Sequence, residues 1–214
     1  IMVAGSGITH SEFSTNDTTI LHGVQLWYAL PDRARFREQE FAVHTPSEQT
    51  TADASLRVGM GHLRATDQAG AALEDTSPLI TDDALVMAQV EIRAGSALPL
   101  DLAPGYEYGV LIDRGSATLH AGERETAAKA TDLIVVPDRA DQLELRAHAG
   151  QGLRMIVIGG EPLGEDIIMW WNFIGRTHEE IARFRARYQA EIGVELDLPD
   201  APIALIARER GGLA

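Results

Sequence analysis

Alternation with a period of two constrains this chain more than any other feature. Val86, Ala88, Val90 and Ile92 alternate with Met87, Gln89, Glu91 and Arg93, and Val24, Leu26, Tyr28 and Leu30 alternate with Gln25, Trp27 and Ala29. Successive side chains of a strand leave opposite faces, so both runs read as half-buried strands. Further candidates are Leu56 to Leu63, Val110 to Ile112, Ala117 to His120, Leu133 to Val136, Leu143 to Ala147 and Leu153 to Ile158. Turn signals punctuate them: Pro31-Asp32, Ala94-Gly95, Pro104-Gly105, Arg114-Gly115, Ala121-Gly122-Glu123 and Pro137-Asp138. Many short strands at such spacing predict a sandwich or barrel rather than alternating strand and helix units.

One helix interrupts the pattern. Thr177-His178-Glu179-Glu180 has the form of a capping box, in which the Thr177 hydroxyl accepts from the Glu180 amide and the Glu180 carboxylate reaches back. Ile181, Phe184 and Tyr188 follow as an apolar stripe, Arg183, Arg185 and Arg187 form a solvated flank, and Gly193 ends the helix. Leu196 to Pro202 reads as an extended tail, because Pro199 and Pro202 exclude a helix. Met169-Trp170-Trp171-Asn172-Phe173 is an aromatic cluster suited to packing that helix onto a barrel.

The formal charge is 18 minus 32, or −14, and the Arg183 to Arg187 set is the one basic cluster, so direct nucleic-acid binding is not expected. Hydrophobic residues make up 45% and charged residues 23%, the balance of a soluble globular protein, and no membrane partner is expected. The sequence has no cysteine, which removes disulfides and thiolate chemistry, makes a cytoplasmic location the expected one, and leaves any metal to His, Asp or Glu.

The stretch Gly5-Ser6-Gly7-Ile8-Thr9-His10-Ser11-Glu12-Phe13 brings two of those donor types together. On a strand, His10 and Glu12 leave the same face, and an imidazole with a carboxylate suits a non-haem divalent metal that keeps positions open for substrate. Surface strands carry the same dipeptide for no chemical reason, and spacing alone does not separate the two readings. His178-Glu179-Glu180-Ile181-Ala182 starts like a zinc-protease helix, but Ala182 stands in place of the second histidine. Gly159 to Glu165 is glycine-rich yet acidic and lacks a phosphate-loop lysine. His22, His44, His62, His120 and His148 are scattered without ligand spacing.

The glycine turn before His10, with Leu21-His22-Gly23-Val24-Gln25-Leu26-Trp27, Leu30-Pro31, Gly159 to Leu163, and the block from Trp171 to Ile181, resembles the pirin family of bicupins. The resemblance implies a mainly β fold of two cupin, jelly-roll type barrels, the first incomplete here, with a C-terminal helix and extended tail. Residues 1–64 would be the C-terminal part of the first, metal-site barrel and its connection, 65–160 the second barrel, and 161–214 the helical segment and tail. It implies one divalent metal, iron by the family's habit, held by His10, Glu12 and an upstream His-x-His. No His-x-His occurs in these 214 residues, and the abrupt opening on Ile1 leads us to expect that the pair lies before it. In the second barrel, Asp101 and Ala103 stand where the family pattern has histidines, so that barrel is expected to be metal-free, with Glu107 a solvated turn carboxylate. The implied activity is opening of a flavonol ring, as in quercetin 2,3-dioxygenases, with Glu12 both ligand and proton acceptor. The alternative is a non-enzymatic, metal- or redox-dependent regulator that binds a transcription factor or metabolic enzyme.

Overall fold

The computed structural model describes residues 1–17, 19–137 and 140–193, and the backbone of 204–206. The described chain separates into two compact units: residues 1–10 with 36–162, and residues 11–35 with the stretch that begins at Leu163.

The larger unit holds β1 (Met2–Val3), β2 (Glu40–Phe41), β3 (Gln49–Thr50), β4 (Ala54–Met60), β5 (His62–Thr66), β6 (Ala72–Thr76), β7 (Leu85–Ile92), β8 (Ala97–Asp101), β9 (Glu107–Arg114), β10 (Ser116–Ala121), β11 (Arg124–Lys129), β12 (Leu133–Val135), β13 (Gln142–Ala147) and β14 (Leu153–Gly160). Two antiparallel six-stranded sheets result, in the orders β11-β10-β13-β8-β5-β6 and β12-β9-β14-β7-β4-β3. Their inner faces share one apolar core that includes Leu56, Leu98, Leu100, Ile112, Leu143, Leu145, Leu153 and Met155, all under 3% exposed. The alternation seen in the sequence sends every second residue of β7, β9, β13 and β14 into it.

The outer faces differ. On the first sheet, charged and polar side chains pair across strands, Arg64 with Glu74 and Asp101 and His120 beside Glu125, and along β13, Arg146 with Glu144. On the second sheet a row runs Val135, Gly109, Ile158, Met87 and Met60 across five strands, flanked by Leu133, Leu111 and Ile156. That row makes part of the outer face apolar as well, while Arg154 with Asp113 and Arg114 with Glu91 keep the rest charged.

Several elements depart from the alternation. Leu56 to Leu63 is not one strand, because the chain passes from one sheet to the other at Gly61, between β4 and β5. Gly61 has φ 69°, and a β-carbon there would lie 1.8 Å from the Leu85 carbonyl oxygen, so only glycine fits. The sandwich draws in strands from Gln49 onward, upstream of residue 65, since β4 pairs along β7. Val24 to Leu30 forms no strand, and Val24, Leu26 and Trp27 are exposed. Alternation makes a strand only where a neighbour's backbone pairs with it, and no described strand does so here.

The smaller unit holds β15 (Ile167–Trp170), β16 (Phe173–Gly175), α1 (His178–Ile192) and β17 (Ala204–Ile206), with β15 central in the sheet. Ile168, Trp170 and Ile181 are buried together with Phe173 against them, and Tyr188 meets Phe173 edge-on at 5.8 Å. The aromatic cluster therefore packs the helix onto this small sheet. Thr177 caps α1 by accepting from the Glu180 amide at 3.2 Å, and Gly193 closes it with φ 67° and its N–H on the Gln189 carbonyl. The tail expected from Leu196 to Pro202 lies outside the described residues.

Candidate functional site

The segment that carries His10 and Glu12 begins with a constructed turn. β1 pairs with β2, and the Gly7 N–H donates to the Ala4 carbonyl at 2.8 Å. A β-carbon on Gly5 would lie 2.1 Å from the Arg37 carbonyl oxygen, and its φ of 52° is one that glycine adopts without strain. Gln39 donates its side-chain amide to the Gly7 carbonyl. Arg37 donates to Glu40 at 2.7 Å and Asp82 at 2.8 Å, which holds the partner side of the turn. Beyond the turn, residues 8–15 have no strand pairing, so the strand expected under His10 and Glu12 is not formed. Both side chains are exposed, and the boundary between the compact units passes between His10 and Ser11.

Among the described residues the sandwich interior is lined mainly by aliphatic side chains, joined by Tyr108 and Met155, while Asp101 and Glu107 are exposed at strand ends and the Ala103 side chain has no donor atom. Among the described residues no three His, Asp or Glu side chains gather as a metal-binding group. Two donors at His10 and Glu12 fall short of the three protein ligands usual in a catalytic centre. The described residues therefore do not by themselves fit the metal that the fold family implies.

Charge converges elsewhere, in the smaller unit. Arg35 donates to both oxygens of Glu180 at 2.7 Å and pairs with Asp32 at 2.8 Å. Glu180 also accepts the Arg176 backbone N–H at 2.8 Å, so its carboxylate reaches one residue beyond the Thr177 position that a full capping box would use. Arg176 in turn donates to Glu165 at 2.6 and 2.8 Å and to the Leu30 carbonyl at 2.8 Å. Glu165 accepts the Asp32 N–H, and that backbone bond is the largest cause of its lowered pKa. The Arg35 guanidinium holds the Glu180 carboxyl down at about 2. These groups with Thr177 line an open recess, and every charge named is answered by another, so the recess is a clamp rather than a site with a free charge for substrate. Arg35 and Glu180 lie 145 residues apart, and no local pattern announces the pair.

Comparison with known proteins identifies the fold. Residues 87–192 match the pirin C-terminal cupin domain. A Pseudomonas aeruginosa protein named "putative quercetin 2,3-dioxygenase" is 33% identical over 189 residues, which cover 88% of this chain. The chain belongs to the pirin family. A pirin-like protein of Arabidopsis thaliana is 29% identical over 84% of the chain. Among solved structures, quercetin 2,3-dioxygenase from Acinetobacter baumannii matches 87% of the chain with TM-score 0.61 and 25% identity. The mainly β cupin fold with a C-terminal helix is thus the pirin one. This pirin chain spans 56%, 58% and 56% of those three proteins' lengths. Among its described residues no helix is long and apolar enough to cross a membrane.

Proposed function

We propose that this chain works in a pirin-type quercetin 2,3-dioxygenase, which opens a flavonol ring with dioxygen. The observation that carries the reading is the 33% identity, along 88% of the chain, to a protein named "putative quercetin 2,3-dioxygenase". The Acinetobacter baumannii structure supports it.

In this reading His10 and Glu12 are two donors to a mononuclear divalent metal, iron by the family resemblance, and the remaining donors come from outside the described residues. Such a metal, when bound, supplies Lewis acidity and open positions for oxygen ligands. The chain's own contribution is the fixed turn at Gly5 and Gly7 that delivers His10, and a solvent-accessible carboxylate at Glu12 that takes the proton from a flavonol hydroxyl.

The test is elemental analysis of the purified protein beside His10→Ala, followed by oxygen-electrode assays with quercetin. Near-stoichiometric metal in the parent, little in the variant, and flavonol consumed with equimolar dioxygen are expected. No metal in either protein would refute the ligand role, and a metal-loaded parent that leaves quercetin intact would refute the reaction.

A further inference from the structure

We infer that the tip of the β15–β16 hairpin is a docking platform for a planar aromatic anion, with Trp171 as its stacking face and Arg185 as its cation. Trp170 pairs with Phe173, which leaves Trp171-Asn172 as a two-residue turn. Turns of this length favour glycine or asparagine where φ is positive. Here the residue with φ 49° is a tryptophan. Its β-carbon sits in the left-handed region and its indole is 67% exposed, whereas the neighbouring Trp170 is 6% exposed. Backbone sterics and apolar exposure thus both count against the same residue, and strain of this kind marks sites held for a purpose other than folding. Its contact with Trp170 does not offset them, because the rings meet edge-on at 6.2 Å and 72°, leaving indole surface in water.

The cation is a separate observation. Arg35, Arg37, Arg57, Arg64, Arg154 and Arg176 each meet a carboxylate. Arg185 meets none among the described residues, although the chain carries a net charge of −14. It is half-buried, with its guanidinium carbon 5.4 Å from the Trp170 ring centroid. A guanidinium seated on one indole beside a second, exposed indole offers a flat ligand a π-face and an anionic oxygen a positive partner. Conjugated phenolates have that chemistry. That the ligand is a flavonol rests on the dioxygenase reading above.

The experiment is calorimetric titration of the full chain with quercetin under nitrogen, which separates binding from turnover. Saturable binding is expected, with Trp171→Gly weakening it about tenfold while its melting temperature stays level or rises, since glycine accepts the positive φ. Trp171→Phe keeps a stacking ring and stays close to the parent in affinity. Arg185→Gln narrows the preference for quercetin over its fully O-methylated derivative, which has no ionisable hydroxyl. Unchanged affinity in Trp171→Gly overturns the platform, and a lower melting temperature in that variant makes the indole a packing residue instead. An unchanged preference in Arg185→Gln removes the cation's role. Absence of oxygen uptake with this binding intact would sink the dioxygenase reading alone.

Discussion

Replacing Glu180 by glutamine tests whether the clamp in the smaller unit stabilises it. The carboxylate lies within hydrogen-bond distance of both Arg35 terminal nitrogens and the Arg176 N–H, with 14% of its side chain exposed and 17% of Arg35. Its pKa falls from an ordinary 4.5 to about 2. A drop of that size sets a ceiling of roughly 3 kcal/mol of pH-linked stability, and partial access of solvent to the pair reduces it to about 1–2 kcal/mol. For a chain of this length that is about a 4 °C fall in melting temperature. The sign follows from the direction of the shift: the folded pKa is depressed, so the contribution is complete above 4.5 and is lost as pH falls toward 2. All three tryptophans, Trp27, Trp170 and Trp171, belong to the smaller unit, so fluorescence-detected melting reports on it. The offset between parent and Glu180→Gln is expected at pH 7 and should shrink by pH 3. Coincident melts at pH 7, or an offset that persists undiminished in acid, would refute the linkage.

Three other perturbations read different parts of the molecule. Leu100→Ala opens a cavity in a fully buried position between two paired strands and should cost about 2–5 kcal/mol, measured by urea unfolding followed in the far-ultraviolet. Gly61→Ala drives a β-carbon against the Leu85 carbonyl at a positive φ, and we expect the variant to be largely insoluble on expression; a yield and melt like the parent's would show that the β4–β5 crossing relaxes freely. Thr177→Ala removes the acceptor for the Glu180 amide and should cost about 1 kcal/mol, read by the same tryptophan melt.

What could be read from the sequence was whatever depends on near neighbours. Met87 to Ile92 announced β7, and Thr177 to Glu180 announced the start of α1, because alternation and capping are written within a few residues. Val24 to Leu30 carries the same alternation and forms no strand, since a strand also needs a partner, and the partner is not encoded in the run itself. The Arg35–Glu180 clamp and the left-handed Trp171 were illegible for a related reason. One joins residues 145 apart, and the other places a residue type where local preference argues against it. His10 and Glu12 stood out by residue type, whereas the turn that precedes them is explained only by the approach of Arg37 to Gly5.

The apolar row on the outer face of the second sheet bears on how the chain finds its register. A slip of one residue in β14 would exchange Met155 and Val157 for Ile156 and Ile158, oil for oil, and only Arg154, turned inward in place of Leu153, would register the error through burial. The same slip in β13 would bring Glu144 and Arg146 inward, an error that water would reject at once. Along that apolar row the second sheet has fewer solvent checks, and glycine adds others. A β-carbon at Gly160 would lie 2.6 Å from the Ala84 carbonyl oxygen and one at Gly61 still closer to Leu85, so only one alignment of β14 and β4 against β7 brings a missing side chain to each crowded place. One sheet is proofread by solvent along its length, and the other in part by the residues that have nothing to clash.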